Sequence, residues 1–451
     1  MTYTAKLQSL GLFDSRVPRY TSYPTAPVFG PAVAAAFQTA CLGGLAPDVP
    51  ISTYVHIPFC ERLCWFCACR TQGTRTLGPV ETYIETLEAE LALLAAALPQ
   101  GVQMGRLHWG GGTPTILPPH LIRRLARAIK SVIPPADVFE FSVEIDPTLV
   151  DAAKIAALQS EGMTRASIGI QDFSETVQKA IGREQTFAAT ASCVQMLREA
   201  EIASLNADLV YGLPHQTPHS IAASVEKVLS LRPDRIALFG YAHVPWMAKR
   251  QQLIDEAALP GDSARHDLAN VAADIFAAAG FTTIGIDHFA LPGDGLSRAA
   301  QSGTLRRNFQ GYTEDTCQTL LGLGASSISR FEGGYVQNAA ATGAYTARIA
   351  SGNLAGYRGH ALTVDDRLRA RAIEMLLCDF HLDLPALRES SNAETDALLP
   401  IIQRIATEFG DLVAADHFGL TIQPSGKPLA RIIAQKFDAY PIAAARFSKA
   451  S

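Results

Sequence analysis

The sequence predicts an α/β fold: an incomplete TIM-like parallel barrel of about (β/α)6, with an N-terminal arm and a small, mainly helical C-terminal domain. From residue 51 to about 290, strand-like and helix-like runs alternate in repeats of roughly 30 residues, the length of a βαβ unit with a right-handed crossover. The strand-like runs are apolar and the helices between them amphipathic, as in a parallel sheet covered on its outer face. A closed barrel needs eight such units. Six or seven are present.

The elements follow in order. Residues 1–48 form the arm, where VPRYTSYPTAPVF combines rigid prolines with aromatic rings as a lid over an active site would. PAVAAAFQTACL then predicts a short helix. Residues 49–360 form the catalytic partial barrel with its extension. Its strand candidates are ISTYVHI, GRLHWGG, VFEFSVEID, RASIGIQ, SLNADLVYG, RIALFGYAH and TTIGIDHFA. Between them stand helices such as VETYIETLEAELALLAAAL, PHLIRRLARAIKSVI and DSARHDLANVAADIFAAAG. Residues 291–360 are less regular. Residues 361–451 turn helical, with DDRLRARAIEMLLCDF, NAETDALLPIIQRIATEF and PLARIIAQKF around a hairpin-like GLTIQPSG. This winged-helix-like pattern carries 10 Lys/Arg against 12 Asp/Glu, so it lacks the basic stripe of a DNA binder, and a packing or lid role is expected.

Composition narrows the class. The chain has 451 residues, 48% of them hydrophobic and 18% charged, which supports a large core and excludes disorder. A net charge of −5 argues against a general nucleic-acid or anionic-membrane binder. The N-terminal residues lack a signal-peptide pattern, and no run approaches the ~18 apolar residues of a membrane span. Cys41, Cys193, Cys317 and Cys378 are scattered as packing thiols. A reducing, cytoplasmic setting is expected.

Four of the eight cysteines fall within ten positions after the first strand, as Cys60-x3-Cys64-x2-Cys67-x-Cys69. Zinc sites generally pair two C-x2-C units across a longer span, and no second pair exists here. Three thiolates at this spacing suit a [4Fe-4S] cube with one iron left open. Cys69 stands too close to Cys67 for a comfortable further bond to the same cube. Polar and glycine residues gather at other strand ends: HWGGGTPT, SVEIDP, GIQDF, NADLVYGLP, GYAHVP and IDHFA. Parallel α/β enzymes place their chemistry at that rim.

Cys-x3-Cys-x2-Cys after the first strand of a partial barrel resembles the radical S-adenosylmethionine superfamily. PRYTSYPTAPVF, YVHIPFC, LHWGGGTPT, EIDP, GIQDF, GREQ, DLVYGLPHQTP, YAHVP, IDHFA and RNFQGYT narrow the resemblance to the oxygen-independent coproporphyrinogen III oxidases, over essentially the whole chain. The resemblance implies Cys60, Cys64 and Cys67 as cluster ligands and two S-adenosylmethionine molecules. The first would touch Tyr54, Phe66, Gly111, Glu144 and Ile328, with Phe66 packing on adenine and Glu144 on ribose. The second would touch Gly112, Thr113, Gln171, Arg183, Asp208 and Ala242. The implied reaction converts two propionates of coproporphyrinogen III to vinyl groups, giving protoporphyrinogen IX through a 5′-deoxyadenosyl radical, with no general acid or base required. It implies a reducing donor such as flavodoxin or ferredoxin, an unidentified electron acceptor and a monomer. Arg19, Arg306, Arg307 and Arg330 are candidates, by charge alone, for the substrate carboxylates. The alternative is a haem chaperone of the same family. Cys69, YTSYPTA (20–26) and NFQGYT (308–313) favour the oxidase.

Overall fold

The computed structural model describes residues 2–391, 395–440 and 449–450, and its centre is a twelve-stranded sheet. Six predicted strands form close to their expected bounds: β1 (Ile51–Ile57), β2 (Met104–Gly111), β3 (Pro135–Ile145), β4 (Met163–Gln171), β5 (Ser204–Tyr211) and β6 (Arg235–Gly240). All six are parallel and adjacent in chain order.

The seventh predicted strand, TTIGIDHFA, is instead a hairpin of β7 (Thr282–Ile284) and β8 (His288–Ala290). These two strands pair antiparallel, and β8 runs antiparallel to β6. Gly285 lies in the turn at φ +56°, and a side chain there would strike the Tyr312 ring. The seventh parallel strand is β9 (Leu320–Leu323), within the stretch read as irregular. It pairs with the far edge of β1, Ser52 against Leu320. All four of its residues are buried, so it shows no alternation. The sheet continues antiparallel through β10 (Ile328–Phe331), β11 (Gly334–Asn338) and β12 (Gly356–Ala361). β6 and β9 do not pair, so the barrel stays open.

Helices α1 (Gly78–Ala97), α2 (Pro119–Val132), α3 (Ala152–Ser160), α4 (Phe187–Glu199), α5 (Pro218–Ser230) and α6 (Asp262–Ala278) cover the outer face. Their starts are encoded locally: Asp151 caps α3, Thr186 caps α4, and Thr217 with Ser220 forms a capping box on α5. Outward strand residues such as Val55, Leu107, Val143, Ile168 and Leu209 pack on Ile84, Leu125, Ile155, Leu197 and Val225. Each such burial stabilises the fold by about 1.5–3 kcal/mol. Alternate residues of the same strands point inward, which is why polar groups can line the barrel. At the strand starts Arg106, Arg165 and Arg235 pair with Glu140, Asp294, Glu314 and Asp315, plugging the base.

Beyond β12 come α7 (Val364–Cys378), α8 (Leu384–Ser391), α9 (Leu399–Phe409) and α10 (Ala430–Gln435) around a three-stranded antiparallel sheet. Residues 392–394, where the sequence begins the NAETDALLP helix, lie outside the described residues. The expected helix in PAVAAAFQTACL forms as Ala35–Gly43. The start of the arm shares a core with the C-terminal region: Leu7, Leu12, Phe13, Val17, Tyr20 and Tyr23 pack with Leu376, Ile402, Phe409, Leu420 and Ile433.

Candidate active site

Past Ile57, Phe59–Cys60 pairs with Gln72–Gly73, closing the cysteine loop at its base. The Trp65 N–H donates to the Ile181 carbonyl (2.9 Å) and anchors the far side. His56 Nε2 holds the Arg70 carbonyl at 2.9 Å, while its Nδ1 meets the Tyr54 hydroxyl at 3.1 Å. The GGGT segment runs directly alongside: Gly112 N–H donates to Ile57 O and Thr113 N–H to Phe59 O, both at 2.8 Å. A Cβ on Gly112 would lie 2.6 Å from Phe59 O, so the two backbones meet this closely only with glycine there.

This arrangement turns Cys60, Cys64 and Cys67 onto one cavity of about 190 Å³ at the carboxyl ends of the strands. Each sulfur faces a donor: Thr113 Oγ1 at 3.6 Å from Cys60, Arg183 Nη1 at 3.5 Å from Cys64, and the Cys69 N–H at 3.4 Å from Cys67. The Cys69 thiol, itself exposed, lowers the Cys67 thiol by hydrogen bonding, while the Cys67 sulfur raises Cys69. Burial pushes Cys60 up to about 11. Donors aimed at three sulfurs suit anionic thiolates, so these residues fit the [4Fe-4S] group that their spacing implies. Among the described residues no three His, Cys, Asp or Glu side chains converge as they would on a single ion. A cube asks for a different arrangement, with its protein thiolates spread over separate irons.

Phe66, Gly111, Gly112, Thr113, Glu144, Gln171, Arg183 and Asp208 line the same cavity. Burial alone would raise Glu144, but His108 (3.5 Å), the Gly111 N–H (3.0 Å) and His56 outweigh it and hold the carboxylate below its usual range. Asp208 accepts from Ser167 (2.8 Å) and Asn206 (2.7 Å), yet burial pushes it up to about 6. Arg183 donates to the Gly169 carbonyl (2.7 Å) and faces Asp146 (3.4 Å). Burial disfavours its charge, but Asp146 and the Cys64 and Cys67 sulfurs more than offset this. Its Nε is buried without a hydrogen-bond partner.

Three predicted residues lie off the cavity wall. Tyr54 stacks on His108 (5.8 Å) below it. Ile328 begins β10 and its backbone adjoins Gly322, the strand partner of Tyr54. The Ala242 carbonyl accepts from Gln251, whose amide also holds the Phe66 carbonyl at 2.7 Å. Residues the motifs did not single out also contribute, among them Arg62, Asp146, Ser167, Gly169 and Arg250. Asp146 stands at the end of β3 and Ser167 two residues from Gly169 on β4, so strand-end position and alternation signal both. Arg250, from the loop after β6, donates to Thr71 Oγ1 (2.7 Å) and carries no local signal. The four candidate arginines do not share one cavity, although Arg307 Nε donates to the Arg19 carbonyl at 3.3 Å. Arg19 lines another cavity, Arg307 and Arg330 a third, and Arg306 bonds its neighbour's carbonyl.

Residues 54–228 match the family model of the radical SAM superfamily. The chain is 63% identical to "Coproporphyrinogen III oxidase, anaerobic 1" of Cereibacter sphaeroides, over 100% of both chains. It is 54% identical to the "Oxygen-independent coproporphyrinogen III oxidase" of Paracoccus denitrificans, again over 100% of both. Among solved structures, the radical SAM enzyme coproporphyrinogen III oxidase from Escherichia coli superposes with a TM-score of 0.90 at 37% identity, covering 94% of this chain and 98% of that one.

Proposed function

The chain belongs to the oxygen-independent coproporphyrinogen III oxidases of the radical SAM superfamily, and from that premise we propose that it converts two propionates of coproporphyrinogen III to vinyl groups, yielding protoporphyrinogen IX. The observation that carries this reading is the single cavity where three thiols meet the glycine-rich strand end, Glu144, Arg183 and Asp208. With a cluster and S-adenosylmethionine bound, the site would supply hydrogen-atom abstraction at a propionate β-carbon, balanced by loss of CO2 and transfer of one electron to an acceptor. Cys60, Cys64 and Cys67 hold the cluster. The chain's own task is then positioning. Gly111 and Gly112 let the backbone approach the cofactor, and Glu144 accepts hydroxyl hydrogen bonds from it. Phe66 packs on its ring system, on a backbone fixed by Gln251. Arg183 offers a guanidinium to a carboxylate, and Asp208 accepts from hydroxyls on a second cofactor molecule near Gln171, Thr113 and Ala242. Tyr54, through His56 and Arg70, supports the end of the cysteine loop, and Ile328 packs on Gly322, the strand partner of Tyr54.

No side chain is assigned to proton transfer. A small reducing protein such as a flavodoxin or ferredoxin supplies the electron, and the chain works as a cytoplasmic monomer. Residues 1–48, 49–360 and 361–451 serve as arm, catalytic barrel and C-terminal domain. Whole-chain relatives named as oxidases disfavour the haem-chaperone alternative.

The deciding experiment incubates the anaerobically reconstituted protein with reductant, S-adenosylmethionine and coproporphyrinogen III. Protoporphyrinogen IX is the expected product, and cofactor cleavage without decarboxylation overturns the oxidase reading. Cys64→Ser is expected to abolish both iron retention and turnover, measured by iron analysis and product assay.

A further inference from the structure

A cavity of about 420 Å³ shares no lining residue with the thiol cavity. Alternation along β6 fixes the side: Phe239 points inward, its ring 5.6 Å from His288, whereas Leu238 and Gly240 line this cavity. The walls come from the arm, the ends of β5 and β6, helix α6 and the C-terminal region.

Its charge is one-sided. Arg19, Arg265, Lys427, Arg431 and Lys449 face it, with Asp287 as the only carboxylate among the described lining residues. That carboxylate is already engaged, by His288 at 2.7 Å and Arg307 at 3.7 Å. Lys449 pairs with Asp262 outside the lining. Among the described residues the guanidinium of Arg431 donates only to backbone carbonyls, those of Val17, Pro18, Lys449 and Ala450. Arg19 donates to the Gly240 carbonyl at 2.8 Å. Among the described residues neither arginine has a carboxylate within hydrogen-bond distance. Burial, and then the neighbouring Arg19 charge, push Arg431 down to about 9, and Tyr211 and Asp287 offset only part of this. Guanidinium forks suit carboxylate and phosphate oxygens. Tyr211, Leu238 and Phe289 add apolar wall.

We propose that this cavity binds an organic anion, its carboxylate or phosphate groups held by Arg19 and Arg431 and its apolar body seated on Tyr211, Leu238 and Phe289. The site stands apart from the thiol cavity and its existence does not depend on the reaction assigned there. The two are nonetheless close in sequence. Arg19 holds Gly240, and two residues on, the Ala242 carbonyl shares Gln251 with Phe66. An occupant therefore bears on the segment that fixes the cysteine loop.

Isothermal titration of the full chain with pyrophosphate and with the tetracarboxylate coproporphyrin III tests this, the two probes separating phosphate from carboxylate recognition. At least one should bind once per chain, without competition from saturating S-adenosylmethionine. Arg19→Gln and Arg431→Lys should each weaken that binding tenfold or more while the circular dichroism spectrum is retained. Arg19 is exposed, so its variant carries the test if Arg431→Lys does not fold. Failure of both probes to bind, affinity unchanged in Arg19→Gln, or displacement by S-adenosylmethionine overturns the proposal.

Discussion

Asp208 is a lining residue of the thiol cavity whose charge state responds to solution pH. Burial raises it to about 6, so it is charged above that pH and neutral below it. If it accepts cofactor hydroxyls, affinity falls as pH drops from 8 to 5, by about tenfold for one charge-assisted hydrogen bond. Asp208→Asn is expected to show the weaker affinity at pH 8 and a flat profile, read by equilibrium dialysis of labelled S-adenosylmethionine. At this scale the sequence was most informative where chemistry restricts residue type. Three thiols at fixed spacing and three consecutive glycines permit few alternatives, and the fold brings both to one cavity. Motif and charge led to different places: Arg183, taken from the GREQ motif, reaches the Cys64 sulfur, whereas Arg307 and Arg330, chosen by charge alone, line a separate cavity.

Elements were legible in proportion to their periodicity. β1 to β6 and their helices carry regular patterns. TTIGIDHFA looked like one more strand because nothing in its composition announces that Gly285 reverses the chain. LLGL passed unnoticed because a four-residue strand buried on every side has no period to read. Two elements make sharp tests. Gly112→Ala places a methyl against Phe59 O, just past β1, and should cost about 1–3 kcal/mol, measured by urea denaturation, with reduced iron incorporation. On α1, Glu90 is 1% exposed and receives the Gly324 N–H (2.8 Å), Tyr345 hydroxyl (2.8 Å) and Asn338 amide (2.9 Å). Burial nevertheless lifts it from 4.5 to about 7. A carboxyl whose folded-state pKa is raised loses its proton first in the unfolded chain, so stability declines as pH rises from about 4.5 to 7, by about 3 kcal/mol in total. Thermal midpoints between pH 5 and 8 should fall less in Glu90→Gln than in the parent.

At the scale of the molecule, the arm proves inseparable from the C-terminal region. Leu12 is 2% exposed in their shared core. Leu12→Ala should destabilise the protein by about 2–5 kcal/mol in urea, with proteolysis beginning in that region rather than in the barrel. The sequence showed prolines and aromatic rings in the arm but not their partner, because the contacts join residues about as far apart as the chain allows. Tyr20 bonds Asp438 at 2.9 Å and Tyr23 accepts from the Ala439 N–H at the same distance.

The pairing of β1 with β9 carries a consequence for synthesis. Ser52 waits for Leu320, so the strand that leads into the cysteine loop keeps one bare edge until most of the chain has left the ribosome. The arm waits longer still, for Phe437 and its neighbours. A bare apolar edge invites association with other chains, and late long-range closure is slow. The nascent barrel is therefore expected to need protection along that edge until Leu320–Leu323 arrives to pair with it.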